Sequence, residues 1–146
     1  MVQSATSDDP VRDLERIVVA SVAITARVLA EVAPDLTFLQ WRVLVVLGEA
    51  PDGVAVSAIA AELGGRLAAA SRLIGRMRAR GLVATEKDAT DARVTIVRLT
   101  EAGAELRAAV VQRRWATLAW AVQHGGLTIA DVPTAARMVM ALESAG

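Results

Sequence analysis

The segment "RLAAASRLIGRMRARG", residues 66–81, constrains the fold more than any other part of the chain. Set at 100° per residue it is a helix with two unlike faces. Ala70, Leu73, Ile74 and Met77 gather on one side; Ala68, Ser71, Arg72, Gly75, Arg76 and Ala79 gather on the other. The apolar side has to be buried. The opposite side joins arginines to residues too small to hold a neighbouring surface away, so the backbone can approach that surface closely while Arg reaches past it. Such a face suits a helix lying deep in a groove, with Arg directed at phosphates or guanine edges. Gly81 then ends the helix at the left-handed cap, with Leu82 as the apolar residue that folds back.

The flanks of this helix define a unit. Upstream, "PDG" at 51–53 is a turn, and a short helix from about Val56 to Leu63 points Ile59, Ala60 and Leu63 inward before Gly64-Gly65 stops it. Downstream, "LVATEKD" (82–88) and "VTIVRLT" (94–100) have the alternation and β-branching of strands. Thr95, Val97 and Leu99 share one face of the second strand, and Val94, Ile96 and Arg98 the other. The loop between them, tipped by Thr90-Asp91-Ala92-Arg93, takes about four to six residues where a tight hairpin needs two. Helix, turn, helix and β-hairpin in this order make a winged helix-turn-helix. Two readings of the loop stay open. Arg93 projects toward a DNA minor groove with Asp91 holding its guanidinium or the wing backbone, or an exposed Asp–Arg pair merely pins the loop.

Outside residues 36–100 the chain is helical. Asp9 and Pro10 suit the start of a helix whose apolar positions run through Val11, Leu14, Ile17, Val18, Val22, Val28, Leu29 and Val32, until Pro34 stops it. This helix is too apolar all round to serve one core face. "TFLQ" at 37–40 is a capping box, opening a helix that carries Phe38, Trp41, Leu44, Val45 and Leu47 inward. Thr100 caps a long helix to about Gln123, broken at Gly125-Gly126. Thr128 caps a last one with Val132, Ala136, Val139, Met140 and Leu142 as its apolar set. Hydrophobic residues make up 54 % of the chain, above the roughly 45–50 % of ordinary domains, and a lone small domain has limited interior for the excess. The first and last helices are therefore expected to pair with a second copy. Val11, Leu14, Val18, Val22, Val139 and Leu142 are the expected interface residues. The expected organisation is a single domain, 1–146, with 1–35 and 101–146 as dimerisation helices around a 36–100 lobe. The fold class is mostly α with a small β-hairpin wing.

The net charge of zero hides an uneven distribution. Residues 1–65 carry four basic and nine acidic side chains, whereas residues 66–100 carry eight basic and three acidic, an excess of five. Fifteen of the sixteen basic residues are Arg, whose planar fork matches phosphates and base edges better than Lys does. Other chemistries find little support. The chain has no Cys and one His, which excludes disulfides and thiolate sites and leaves no zinc centre. Neither a Gly-rich phosphate loop nor a Ser-His-Asp arrangement is present. No enzyme activity and no cofactor are expected. The longest apolar run, Ile17 to Ala26, lies between Arg16 and Arg27 and falls short of the roughly 20 residues needed to cross a membrane. The start, "MVQSATSDDP", lacks the basic and apolar regions of a secretory signal. A soluble, cytoplasmic protein is expected.

From Leu36 to Gly103 the sequence resembles the MarR family of bacterial transcription regulators. The resemblance lies in "LTFLQWRVLVVL", "SAIAAELG", "SRLIGRMRARGLV" and "DARVTIVRLTEAG". The last piece matches the family's wing pattern of Asp, any residue, Arg, three residues, Val, any, Leu-Thr, with Glu-Ala-Gly opening the next helix. The resemblance implies a homodimer with interlocked terminal helices, two winged units facing a palindromic double-stranded operator, and a small aromatic or phenolic effector. Two departures stand out. Family members begin the recognition helix with Ser, Pro and Ser or Thr, where this chain has Arg66, Leu67, Ala68, Ala69 and Ala70. Arg66, Ser71 and Arg72 are the substitutes for phosphate contacts, with Ala68 and Ala69 as methyl contacts to thymine. At the position after Asp91, often Arg in the family, stands Ala92. The expected DNA-binding set is therefore Arg66, Ala68, Ala69, Ser71, Arg72 and Arg76 on the helix with Asp91 and Arg93 on the wing. Trp41, Trp115 and Trp120 are candidates for an effector pocket, although Trp is more often core or interface. The main expectation is a DNA-binding repressor released by its effector. The alternative is a winged-helix dimer serving as a protein-interaction or ligand-binding module without operator binding.

Overall fold

The computed structural model describes residues 10–124. In chain order the elements are α1 (Pro10–Val32), α2 (Phe38–Gly48), β1 (Val54–Ala55), α3 (Val56–Glu62), α4 (Leu67–Ala79), β2 (Val83–Lys87), β3 (Thr95–Leu99) and α5 (Glu101–His124). Asp9, the break at Gly125-Gly126, and the helix expected after Thr128, with Val139 and Leu142, lie outside the described residues. The chain divides into two compact units, residues 28–113 and residues 1–27 with 114–146. The 28–113 unit extends past 36–100 at both ends.

Polar caps start α2 and α5, and glycines stop α3 and α4, where the sequence places them. The Gln40 amide donates to Thr37 Oγ1 at 3.2 Å and the Thr37 amide to Gln40 Oε1 at 3.0 Å, closing the capping box of α2. At the end of α4, Gly81 has φ +72; its amide donates to the Arg78 carbonyl at 2.9 Å and the Leu82 amide to the Met77 carbonyl at 3.0 Å. That pair of bonds is the Schellman cap, and the positive φ is one an L side chain resists. α3 ends in the same way at Gly64 and Gly65. Thr100 Oγ1 accepts from the Gly103 amide at 3.1 Å and donates to the Gly81 carbonyl at 2.5 Å, tying the start of α5 to the end of α4. Gly103 has to be Gly, because a Cβ there would collide with the Leu82 carbonyl.

The core joins the elements. Val43, Leu44, Ile59, Met77, Val83, Val97 and Val110 are fully buried, so α2, α3, α4, β2, β3 and α5 each contribute. Burying one such side chain stabilises by about 1.5–3 kcal/mol, more than the 0–1 kcal/mol of an exposed ion pair. Apolar packing therefore fixes where α4 sits. One helix departs from the expected pattern. Phe38 stands 42 % exposed, and α2 buries Gln40, Trp41, Val43, Leu44 and Leu47. Leu36 and Trp41, at the two positions of the hydrophobic staple around Thr37, are both buried and take the inward place.

The sheet is larger than a hairpin. Its antiparallel order is β1-β3-β2, with Val83 opposite Leu99, Thr85 opposite Val97 and Lys87 opposite Thr95 between β2 and β3. β1 adds Val54 opposite Val97 and Ala55 opposite Ile96. This strand, two residues long, runs straight from the Pro51-Asp52-Gly53 turn into α3 and is too short to show an alternation. It makes β3 the central strand and sets the wing against the helices. The fold is mostly helical with a small three-stranded antiparallel sheet, the winged-helix arrangement.

In the other unit the described residues are 10–27 and 114–124. Val11, Val18, Val19 and Val22 of α1 and Trp115, Leu118 and Trp120 of α5 are exposed, and Leu14 is half-buried. No helix among the described residues is long and apolar enough to cross a membrane.

Candidate nucleic-acid interface

The outward face of α4 follows from its inward one. Ala70, Leu73, Ile74 and Met77 are buried, which turns Ala68, Ser71, Arg72, Arg76 and Ala79 to the exterior with Gly75 half-buried between them. The first turn is bare of side-chain capping: Arg66 has the extended backbone of an N-cap but its side chain makes no cap hydrogen bond. Its carbonyl accepts instead from the Ala69 and Ala70 amides at 2.9 and 3.1 Å.

Hydrogen bonding sorts the eight cations of residues 66–100. Arg80 Nη1 donates to the Asp35 carbonyl at 2.8 Å and to Gln40 Oε1 at 3.2 Å, joining the end of α4 to the capping box of α2. Arg98 Nε pairs with Glu86 at 2.8 Å while its Nη1 reaches the Pro51 carbonyl at 3.2 Å. Arg78 donates to Thr85 Oγ1 and Lys87 to Thr95 Oγ1, both at 3.2 Å. Four of the cations thus brace the lobe. Arg66, Arg72 and Arg76 are exposed and make no side-chain hydrogen bond or ion pair among the described residues. Their charges are uncommitted.

Arg93 is a third kind. Its Nε donates to Asp91 Oδ1 and its Nη2 to Asp91 Oδ2, each at 3.0 Å, in a two-pronged pair that leaves the Arg93 side chain 91 % exposed. The Arg93 amide also donates to Asp91 Oδ1 at 3.0 Å. The guanidinium and then the amide of Arg93 hold the Asp91 carboxyl below its ordinary pKa, and the carboxylate raises the pKa of Arg93 in return. Asp88 orders the other half of the loop. Its Oδ1 accepts from the Thr90 hydroxyl at 2.6 Å, the Thr90 amide at 2.8 Å and the Asp91 amide at 3.0 Å. Those bonds, the Thr90 hydroxyl first, lower its pKa too. The loop runs from residue 88 to 94, slightly longer than expected, and the Asp88 amide donates to the Val94 carbonyl at 3.0 Å across its base.

Between α4 and the wing lies an open cleft of about 380 Å³, walled by Ser57, Ser71, Gly75, Arg78, Arg93 and Thr95 among others. A second hollow of about 320 Å³ lies on the opposite flank of α4, where Leu39, Ala60 and Leu63 meet Arg72 and Arg76. The structure thus brings Ser71 and Arg93 to one cleft, while Arg72 and Arg76 border the second hollow.

This geometry has relatives. The MarR family model matches residues 35–94, from the turn before α2 through the wing loop. Over those residues the winged lobe is similar to the MarR family. Among solved structures, RV1404 from Mycobacterium tuberculosis is 25 % identical, with a TM-score of 0.77 over 97 % of this chain and 98 % of that one. A MepR mutant of S. aureus bound to an oligodeoxyribonucleotide is 21 % identical, with a TM-score of 0.66 over 95 % and 100 %. The PcaV transcriptional regulator from Streptomyces coelicolor, in complex with its natural ligand, is 19 % identical, with a TM-score of 0.65 over 99 % of each chain. No curated protein matches the chain.

The tryptophan candidates divide between the two units. Trp41 is 3 % exposed, a core residue of the 28–113 unit, whereas Trp115 and Trp120 of the other unit are 71 % and 63 % exposed. The Trp120 ring stacks on His124 with centroids 4.7 Å apart, at the end of α5. Among the described residues no group of His, Asp and Glu is placed to hold a metal. Nothing in the sequence marks Arg78, Arg80, Lys87 and Arg98 as bracing residues. Arg78 has the nearest signal, a strand threonine seven positions on, and Glu86 stands 12 positions before Arg98 across the hairpin; the partners of Arg80 and the Pro51 carbonyl that Arg98 reaches lie 40 or more residues away, beyond any local pattern.

Proposed function

We propose that the chain is a dimeric, sequence-specific DNA-binding transcriptional regulator of the MarR type, a cytoplasmic repressor whose operator is a palindromic duplex. The observation that carries the proposal is the division of the arginines. Arg66, Arg72 and Arg76 are left uncommitted along the outer face and start of one helix, and Arg93 is held out on a wing of the same lobe. Arginines without an internal partner have no bracing role, and a surface polyanion supplies the missing charge. The S. aureus MepR mutant of the same fold is bound to an oligodeoxyribonucleotide, which agrees with this reading. The test is enrichment of duplexes from random DNA by the full chain, repeated at several salt concentrations. A palindromic consensus whose affinity falls steeply with salt is expected.

A second reading is favoured by one observation. The first turn of α4 is uncapped, and Leu67 stands 55 % exposed where a DNA-binding face would present a polar group. On that reading the lobe docks protein or ligand, and enrichment from random DNA is flat.

The dimer is supported by the exposed Val11, Val18 and Val22 of α1, an apolar stripe that an isolated chain leaves wet. Val18→Glu with Val22→Glu is expected to dissociate or unfold the protein. A stable, folded wild-type monomer at micromolar concentration in sedimentation would refute the assembly. The effector is the finest part of the proposal, supported by the ligand held by PcaV. Trp115 and Trp120 are exposed reporters, so a small aromatic acid that releases the operator should change tryptophan emission at the same concentration. Release without any change in emission would remove both from the effector site.

A further inference from the structure

The outward face of α4 has a ridge and two flanks, and its arginines are divided between them. The buried set Ala70, Leu73, Ile74 and Met77 defines the inward direction. With 100° between successive residues, Ala68 and Ala79 lie within about 10° of the opposite direction, Gly75 and Arg72 within about 30°, and Ser71 and Arg76 about 70° to either side. Arg72 is therefore the one long side chain on the ridge. Its neighbours there are two alanines and a glycine. Arg76 leans to the flank, toward the hollow formed with Leu39 and Leu63, and Arg72 borders that hollow from the ridge.

We propose that Arg72 reads a base edge, a guanine in the major groove, and that Arg76 contacts backbone phosphate. The assignment rests on the DNA-binding reading above and extends it to the division of labour between the two residues. Groove dimensions supply the argument. The major groove is about 12 Å wide and 8.5 Å deep, and an α-helix with its side chains is about 10–12 Å across. A helix in such a slot presents its ridge to the floor and its flanks to the walls. The floor carries base edges and the walls carry phosphates. Ala68, Gly75 and Ala79 let the backbone sink, so Arg72 meets the floor with its fork free, since no side chain or carbonyl of the lobe holds it. Guanine O6 and N7 match that fork bidentately.

Both residues are exposed, so the variants are expected to melt with the wild type, and their binding differs in kind. Arg72→Ala should lose the preference for guanine at one base pair of each half-site and bind the consensus about tenfold or more weakly, with the salt slope unchanged. In the wild type, exchanging that G·C pair for A·T should cost the same factor, and the exchange should cost Arg72→Ala nothing further. Arg76→Ala should weaken all sequences alike and lower the salt slope by about one. An Arg72→Ala protein that keeps every base preference, or the two patterns with the residues exchanged, overturns the assignment. A wild type that enriches no sequence at all removes the DNA reading and the assignment with it, so the two failures are told apart by the wild-type arm.

Discussion

The two arginine-bearing surfaces of the lobe, the outer face of α4 and the wing, solve one problem in opposite ways. On α4 the side chains of Arg72 and Arg76 are unheld, and what is fixed is the backbone beneath them, clamped by Leu73, Ile74 and Met77 in the core. On the wing no core lies beneath the loop of residues 88–94, and what is fixed is the arginine itself, gripped by Asp91 while Asp88 ties down the turn. A cation can be positioned by a rigid scaffold or by a local carboxylate. The second device places a negative charge where DNA is expected, and that is its cost.

Damage to the scaffold costs the most. Met77 is fully buried under α4, and Met77→Ala should lower stability by about 2–5 kcal/mol, with Tm falling roughly 5–20 °C at 2–4 °C per kcal/mol. Every contact of the helix should weaken together, without selective loss at any base. Melting and binding measured on one preparation check this. A variant with wild-type Tm would show that α4 is positioned from elsewhere.

Much of that scaffold is legible in the sequence, because its signals are local. The inward set of α4, the Thr37–Gln40 box, the glycine caps after α3 and α4 and the Thr100 cap all lie within a few residues of what they organise. The Asp91–Arg93 pair was legible too, its partners being two positions apart. What escaped was either too short or too distant. β1 has two residues and exists only through its pairing with β3. Phe38 has an inward period but is displaced by the staple residues. Arg80 and Arg98 look like members of a basic patch until the chain returns to give them carbonyl partners. Charge counted along the sequence therefore overstates charge available to a ligand: eight cations become four, three loose and one held.

Arg93→Ala removes the exposed guanidinium without touching the core, so Tm should stay within a degree or two of wild type. Operator binding should weaken about tenfold, with the salt slope reduced by about one. Unchanged binding would mean that Asp91 and Arg93 only pin the loop. The wing would then be a structural hairpin, and the comparison with α4 would lose one of its terms.

In Asp91→Ala two effects oppose each other. Removing a carboxylate from a DNA-facing tip lessens repulsion of phosphate, which favours tighter and less selective binding. Freeing Arg93 restores the rotamer entropy that binding must then remove, roughly 0.5–1.5 kcal/mol for an immobilised long side chain. A repulsion acting through water is screened beyond a Debye length of about 8 Å in physiological salt. The loss of preorganisation should therefore win at physiological salt, and binding should weaken a few-fold there. At low salt the balance should tilt back toward the wild type. A variant that binds more tightly than wild type at every salt concentration would show that Asp91 acts as a brake and not as a clamp.

Between pH 6 and 8 the wing's share of binding should not change. Asp88 and Asp91 are both held below the ordinary carboxylate value of 3.8. For a group whose pKa is depressed by folding, the order it supplies is complete above the unfolded value and is lost as pH falls through the folded one. Both carboxylates thus remain charged, and the wing stays organised, at every pH from 6 to 8. The single histidine of the chain, His124, belongs to the other unit, so the 28–113 unit contains no imidazole to titrate in that range. The ratio of wild-type to Arg93→Ala affinity isolates the wing's share of binding from whatever else changes with pH. That ratio should be constant at pH 6, 7 and 8 at fixed ionic strength. A drift of more than about threefold would mean that the grip on Arg93 depends on a group titrating near neutrality, and neither carboxylate that orders the loop is such a group.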